Sequence, residues 1–132
     1  MNQKKRIFIV EDDINCQTIL KGVIRSIDSN VTIDSDESAE SALRTVEREC
    51  EAGRGYDLII ADIFLSGKAT GLDLWKACLE KFRDTPLIVT SSLGMHRYFD
   101  MIGRDSHAPI FLPKPYKPTD CRFILQDLLN SV

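Results

Sequence analysis

The order of hydrophobic and polar residues along the chain predicts five β-strands. Residues 7–10, 58–61 and 87–89 are unbroken apolar runs, which are typical of parallel strands covered on both faces. Residues 31–34 alternate between apolar and polar side chains, as expected of an edge strand with one wetter face. A fifth, shorter strand at residues 110–112 is stopped by the proline that follows it, because proline cannot continue the hydrogen-bonded ladder.

Between these strands the apolar residues recur at every third or fourth position, which indicates helices with one buried face. Ser38 precedes the second of these patterns and is a suitable N-cap, since its hydroxyl can accept a hydrogen bond from the first turn. The predicted helices cover residues 16–27, 39–50, 71–82, 95–102 and 118–129.

Five strands that alternate with five helices predict an α/β fold with three layers. We expect a doubly wound, flavodoxin-like parallel sheet of five strands, joined by right-handed crossovers. Since the second strand has the character of an edge, the expected strand order is 2-1-3-4-5. The chain has 132 residues, the usual length of one domain, and we expect residues 1–132 to form a single domain.

Composition and charge narrow the classes of partner. The formal net charge is −3 and no basic stripe is present, so we expect no direct binding to nucleic acid. No apolar run approaches the roughly 20 residues that cross a bilayer, and no signal-peptide segment is present near the N-terminus, so we expect a cytoplasmic protein without membrane association.

The cysteines lack the spacing of a zinc or redox motif and are interpreted as buried thiols in a reducing compartment. They are Cys16, Cys50, Cys78 and Cys121.

Residues with chemically active side chains follow four of the predicted strands. Carboxyl ends of parallel strands meet at one edge of the sheet, so these residues are expected to converge there. Each residue taken singly is more often a helix cap or a solvated turn, but together they indicate a site. They are Glu11, Asp12 and Asp13 after the first strand, Asp62 after the third, Thr90 and Ser91 after the fourth, and Lys114 after the fifth.

This set of residues suits metal-assisted transfer of a phosphoryl group to a carboxylate. Clustered carboxylates raise one another's pKa unless a cation lies between them, and ligands that are all oxygen favour Mg²⁺. Asp62 would be the nucleophile, forming an acyl phosphate. Lys114 would neutralise charge on the phosphoryl group, and the hydroxyl of Thr90 or Ser91 would donate a hydrogen bond to it.

The segments VEDD, DLIIAD, PLIVTS and FLPKP occur in this order and resemble the signature of receiver domains of bacterial two-component response regulators. The resemblance covers essentially the whole chain. It implies that Asp62 is phosphorylated and that Asp12 binds Mg²⁺ directly while Glu11 binds it through water. The backbone carbonyl of Phe64 is implied as a further ligand of the metal.

The same resemblance implies a conformational switch. Measured from Pro86, Ser91 matches the family's switch hydroxyl better than Thr90 does. Phe111 stands where the family carries a rotating aromatic residue, and the bond that joins Lys114 to the following proline is expected to be cis. Phosphorylation would then change the face formed by the fourth predicted helix, the fifth strand and the fifth helix.

The expected function is therefore signal transduction in a phosphorelay. The phosphoryl donor would be a sensor histidine kinase or a histidine phosphotransfer protein. The partner that responds to phosphorylation would be a downstream protein or an output domain outside this chain. Homodimer formation through the switch face stays open. The domain is not expected to be an enzyme beyond its own phosphorylation and dephosphorylation.

Two other functions are considered. A degenerate receiver would keep the fold as an interaction module without phosphorylation, but the presence of Asp12, Asp62 and Lys114 argues against it. A phosphatase with an aspartyl nucleophile would need an acidic residue two places after that nucleophile, where this chain has Phe64.

Two further groups of side chains are interpreted from their positions. Tyr98 and Tyr116 lie in the part of the chain with which the resembled family meets partners, and they are considered for that role. The acidic residues at positions 34, 36, 37 and 40 are interpreted as a solvated edge of the molecule.

Overall fold

Five parallel β-strands form one sheet at the centre of the molecule. The structure is a computed structural model that describes residues 4–63, 71–81, 85–91 and 110–131. The strands are β1 (Arg6–Val10), β2 (Thr32–Asp36), β3 (Leu58–Asp62), β4 (Leu87–Ser91) and β5 (Ile110–Pro113). Their order is β2-β1-β3-β4-β5, so the predicted flavodoxin-like topology is confirmed.

Four helices lie in the described part of the chain. They are α1 (Ile14–Ile27), α2 (Ala39–Glu51), α3 (Gly71–Lys81) and α4 (Pro118–Ser131). The fourth predicted helix, at residues 95–102, lies outside the described residues, so α4 corresponds to the fifth predicted helix. The Ser38 hydroxyl accepts a hydrogen bond from the backbone N–H of Ser41 at 3.2 Å, which confirms the predicted cap of α2. No helix among these four is long and apolar enough to cross a membrane.

The sheet separates two apolar layers because neighbouring side chains of a strand point to opposite faces. On one face, alternate strand residues such as Ile7, Ile60 and Ile88 pack with α1 and α4, and this is the α1/α4 face. On the other, residues such as Val89 and Phe111 pack with α2 and α3, and this is the α2/α3 face. The position of a residue along its strand therefore determines the layer that it enters.

Arg6 lies at the centre of a polar cluster beside the middle of β2. Its guanidinium carbon lies 4.5 Å from the centre of the Tyr56 ring, and a guanidinium nitrogen lies 3.4 Å from Asp34 and 3.6 Å from Glu49. The Tyr56 hydroxyl donates to Asp34 Oδ2 at 2.7 Å. Burial raises the pKa of Tyr56, and the hydrogen bond to Asp34 raises it further. The Asp34 side chain is 42% exposed on the edge strand, in keeping with the interpretation of a solvated edge, and it also contacts Arg6 and Tyr56.

Asp36 is partly exposed, and its carboxylate accepts a hydrogen bond from the Ser41 hydroxyl. Both aspartates contact polar groups from other elements, and the acidic pattern of β2 alone contains no information about those neighbours.

All four cysteines are free thiols. Cys78 and Cys121 are buried and Cys16 is partly buried, as the sequence suggested. Cys50 is exposed near the end of α2, so its interpretation as a buried thiol is wrong.

Candidate functional site

Three carboxylates meet beyond the carboxyl ends of β1 and β3, which are neighbours in the sheet. Glu11, Asp12 and Asp62 each offer one oxygen, and these oxygens all lie within 4.8 Å of one another. The backbone N–H of Glu11 donates to the carbonyl of Asp36 at 3.0 Å, so the sheet ladder continues one residue past β1 and fixes its position. Glu11 and Asp62 are buried, while Asp12 is exposed. The cluster is therefore buried on the side of Glu11 and Asp62 and open to solvent on the side of Asp12.

Lys114 joins this cluster from the end of β5. Its ammonium donates a hydrogen bond to Asp62 Oδ2 at 2.8 Å and forms an ion pair with Glu11 Oε1. The backbone N–H of Lys114 donates to the carbonyl of Ser91 at 2.8 Å, which ties the residue to the end of β4. Burial lowers the pKa of Lys114, but the two carboxylates more than offset this effect, and the net pKa is raised. Lys114 is therefore a fixed cation at neutral pH.

Glu11 is the least satisfied acid of the three. Its side chain is almost fully buried, and among the described residues neither oxygen accepts a hydrogen bond of good geometry, although Oε1 contacts the Lys114 ammonium. The pKa of Glu11 is raised to about 7: burial raises it most, Lys114 lowers it, and the carboxyl of Asp62 raises it further. A buried carboxylate with unused lone pairs beside a second carboxylate is a place that a cation would stabilise.

The donor set of the cluster fits Mg²⁺. All three of its side chains offer oxygen, and the exposed position of Asp12 leaves room for the water that Mg²⁺ usually retains. The unused lone pairs of Glu11 can accept from such a water or meet the ion itself. The predicted carbonyl ligand at Phe64 lies outside the described residues.

Asp13, the third acid after β1, has a different task. Its Oδ1 accepts hydrogen bonds from the backbone N–H groups of Asn15 at 2.9 Å and Cys16 at 3.4 Å, so it caps the start of α1. The carboxylate is thereby held at the N-terminus of α1, where the positive end of the helix dipole stabilises a negative charge.

The two hydroxyl residues of β4 lie on opposite faces of the sheet. Thr90 is the register partner of Asp62 and follows Ile88 by two residues, which places both on the α1/α4 face. Ser91 follows Val89 by two residues and therefore belongs to the α2/α3 face, as Phe111 does. All three residues are buried. The two residues expected to form the switch thus share a face, and Thr90 does not share it.

Two side chains near the site were not predicted as part of it. Tyr116 is 8% exposed, so the suggested role in contacting a partner is contradicted by its burial, while Tyr98 lies outside the described residues. Burial raises the pKa of the Tyr116 phenol, and the neighbouring Thr90 side chain lowers it. Burial also raises the pKa of the Cys16 thiol; the charge of Lys114 lowers this pKa and the charge of Glu11 raises it. The sequence contained one signal for these two side chains: Tyr116 lies two residues after Lys114, and Cys16 lies five residues after Glu11.

Comparisons with known proteins concern the chain as a whole. The family model described as "Response regulator receiver domain" matches residues 7–126. No curated protein sequence matches the chain at significant similarity.

Several solved structures share the fold. A two component response regulator from Cytophaga hutchinsonii has a TM-score of 0.78 and 19% identity, covering 98% of this chain and 99% of that one. The phosphorylated cyanobacterial phytochrome response regulator RcpA has a TM-score of 0.79 and 17% identity, covering 98% and 97%. The receiver domain of NtrX from Brucella abortus has a TM-score of 0.76 and 21% identity, covering 96% and 99%.

Proposed function

The chain belongs to the family of response regulator receiver domains, and from this premise we propose that Asp62 is its site of phosphorylation. The phosphoryl group would come from a sensor histidine kinase or a histidine phosphotransfer protein. The observation that carries the proposal is the pairing of a buried carboxylate, Asp62, with the Lys114 ammonium at 2.8 Å beside two further acids. Phosphorelay signalling is the function of the family, and the chain has the groups that such a transfer needs.

In the proposed reaction an oxygen of Asp62 attacks phosphorus. A new O–P bond forms as the bond from phosphorus to the donor nitrogen breaks, and the donor histidine leaves with the electron pair. Lys114 is placed to hold a phosphoryl oxygen, and its raised pKa keeps it protonated while negative charge accumulates. The hydroxyl of Thr90, on the same face as Asp62, is a second candidate donor.

Glu11, Asp12 and Asp62 are proposed to hold Mg²⁺, with the carbonyl of Phe64 as a further ligand. The ion would neutralise the carboxylates and allow an anionic phosphoryl group to approach Asp62. Two observations support this: the three oxygens within 4.8 Å and the unused lone pairs of the buried Glu11. Glu11 and Asp62 form the buried side of the site, and Asp12 forms its exposed side.

Ser91 and Phe111 are proposed to convert phosphorylation into a change of surface. Their common position on the α2/α3 face supports this pairing. The switch would act on a downstream protein or an output domain, and dimer formation is proposed as an additional route. We propose that the domain works in the cytoplasm, as the sequence suggested, and that it turns over no separate substrate.

Intact mass spectrometry tests the proposal directly. The wild type, Asp62→Asn and Asp13→Asn are incubated with phosphoramidate, with and without Mg²⁺. We expect one phosphoryl adduct that requires Mg²⁺, is absent from Asp62→Asn and persists in Asp13→Asn. Asp13→Asn is the matched control, because it changes an acid of the same loop that caps α1 and that asparagine can replace.

An adduct of equal amount on Asp62→Asn would contradict the assignment of the residue. If the wild type accepts no phosphoryl group from phosphoramidate or from a phosphorylated kinase, the chain is instead a degenerate receiver that acts as an interaction module.

A further inference from the structure

A side chain of α1 holds the loop that carries the first acids of the cluster. Gln17 lies in the first turn of that helix and is partly buried. Its Nε2 donates a hydrogen bond to the backbone carbonyl of Glu11 at 2.6 Å. A carbonyl oxygen can only accept, so the NH₂ group of the Gln17 amide is the end that faces the loop.

The backbone of Glu11 is held on both sides. Its N–H donates to the carbonyl of Asp36 at 3.0 Å, at the end of β2, and its own carbonyl accepts from Gln17. The backbone N–H of Gln17 donates in turn to the carbonyl of Asp13 at 3.1 Å. Asp12 therefore lies between two residues whose carbonyls both accept from Gln17, one from its side chain and one from its backbone.

This arrangement limits the directions that the Asp12 side chain can take. The carbonyl of Glu11 belongs to the planar peptide unit that ends at the Cα atom of Asp12. A hydrogen bond to the oxygen of that unit restrains its plane, and the plane determines where the next side chain begins. Asp12 is exposed while Glu11 and Asp62 are buried, so packing orients Asp12 least of the three acids. The Gln17 hydrogen bond supplies part of the orientation that packing does not.

We propose that Gln17 is a positioning residue for the metal site, which orients Asp12 by holding the peptide unit between Glu11 and Asp12. The inference rests on the proposed function, because it assumes that the acid cluster binds Mg²⁺. Since Mg²⁺ demands near-ideal octahedral geometry, a ligand that is already oriented binds it better than one that is free to turn. Residues that orient ligands without touching the metal typically change affinity by about 10- to 100-fold when they are mutated.

A role of Gln17 in folding alone predicts a different result. One hydrogen bond from a glutamine contributes little net free energy, because it replaces bonds to water and costs the side chain its rotamer freedom. We therefore expect loss of the Gln17 amide to change the affinity for Mg²⁺ more than the stability of the fold. A role in folding alone would lower the midpoint of urea denaturation in EDTA and leave the affinity for Mg²⁺ unchanged.

Gln17→Met removes the donor and keeps a long, unbranched side chain of similar helix propensity. We expect this variant to bind Mg²⁺ about tenfold more weakly than the wild type, the smaller end of the range because Gln17 holds the backbone and not the carboxylate. The measurement is isothermal titration calorimetry with Mg²⁺ alone. With phosphoramidate as donor, the Mg²⁺ concentration that gives the half-maximal rate of phosphorylation should rise by the same factor, while the rate at saturating Mg²⁺ should stay at the wild-type level.

Thr18→Val is the matched control, because Thr18 is the next residue of α1 and its hydroxyl donates to the carbonyl of Ile14 at 2.9 Å. Like Gln17→Met, it removes a side-chain donor to a backbone carbonyl at the start of the helix and changes the shape of the side chain little. The lost bond lies within α1 and does not reach the acid loop, so the affinity for Mg²⁺ should be that of the wild type. Circular dichroism establishes that both variants are folded.

A loss of Mg²⁺ affinity in Gln17→Met that Thr18→Val does not share supports the proposal. A folded Gln17→Met variant with wild-type affinity overturns it, and so does an equal loss in Thr18→Val, since the effect would then come from a loosened α1. A wild type that binds no Mg²⁺ overturns it as well. If the wild type binds Mg²⁺ but accepts no phosphoryl group, the proposed function fails, and the affinity of Gln17→Met still decides the role of Gln17.

Discussion

At the scale of single residues, the site is organised around the charge of Lys114. The ammonium contacts both Glu11 and Asp62, so two carboxylates hold it in position. Its burial opposes the charged form, but the two carboxylates outweigh that effect and keep the pKa raised. A cation that is already in place stabilises developing negative charge without the cost of reorganisation.

We therefore expect Lys114→Ala to lower the rate of phosphorylation by about 100-fold, a loss typical of removing one fixed group that stabilises developing charge. Asp62 should remain the modified residue. Time-resolved intact mass spectrometry at saturating Mg²⁺ and phosphoramidate measures the rate. Lys117→Ala serves as the control because Lys117 is an exposed lysine of the same segment. Similar rates for the two variants would contradict the role assigned to Lys114.

At the scale of elements, strand ends and helix caps fix where the side chains of the site can be. β4 presents Thr90 and Ser91 to opposite faces of the sheet, and β5 presents Phe111 to the face of Ser91. The caps of α1 and α2, at Asp13 and Ser38, determine where those helices begin after β1 and β2. Changes at Ser38 and Phe111 should alter stability or signalling and leave Asp62 and Lys114 intact.

Ser38→Ala should reduce the free energy of unfolding by about 1 kcal/mol, because the first turn of α2 loses the acceptor for the N–H of Ser41. Urea denaturation measures the change. Ser38→Gly is the informative comparison, since glycine at an N-cap costs only a few tenths of a kcal/mol relative to the usual capping residues. A larger loss in the glycine variant than in the alanine variant would show that the cap is not the cause.

Phe111→Ala should separate phosphorylation from its structural consequence. The variant keeps Asp62 and Lys114, so it should still form the adduct. Amide hydrogen exchange in β5 and α4 should respond to phosphorylation in the wild type and respond much less in the variant. Phe111→Leu is a second variant with a smaller loss of packing, because removing a whole ring from the core costs about 3–5 kcal/mol. An unchanged exchange response in both variants would contradict the switch assignment.

Strand-level features were predictable from sequence, and contacts between elements were not. Apolar runs and their order placed Glu11, Asp62 and Lys114 at one edge of the sheet, because parallel strands all end there. The contact of Tyr56 with Asp34 depends on side chains that meet across elements, and the polar pattern of β2 contains no signal for it. The burial of Tyr116 was missed for the same reason.

At the scale of the whole molecule, the proposed metal binding and the folding of the chain depend on the same charges. The carboxylates of Glu11, Asp12 and Asp62 are close together in the folded chain, and only Lys114 balances them among the side chains described around the cluster. Unfolding separates these groups, so the repulsion destabilises the folded state, and a bound cation would relieve it.

Mg²⁺ at ten times its dissociation constant should therefore raise the free energy of unfolding by about 1.4 kcal/mol. Asp12→Asn should lose this gain and, in EDTA, should be more stable than the wild type, because one member of the acid cluster is neutralised. Urea denaturation with Mg²⁺ or EDTA measures both effects. Asp13→Asn should behave like the wild type in both conditions. Retention of the full gain in Asp12→Asn would contradict the assignment of Asp12 to the metal.

The alternation of side chains along β4 has a consequence for how such a domain can diversify. Asp62 and Thr90 face one compartment, while Ser91 and Phe111 face the other, and a single peptide unit of β4 connects them. In the proposed mechanism the reacting groups and the switch pair therefore lie on opposite faces of the same sheet. Because α4 packs on the face of Asp62 and also belongs to the surface proposed to respond, a substitution in α4 can change both the reactivity of the site and the choice of downstream partner. Substitutions in α2 and α3 contact only the layer of the switch pair, so they can change the response while the reacting groups stay as they are.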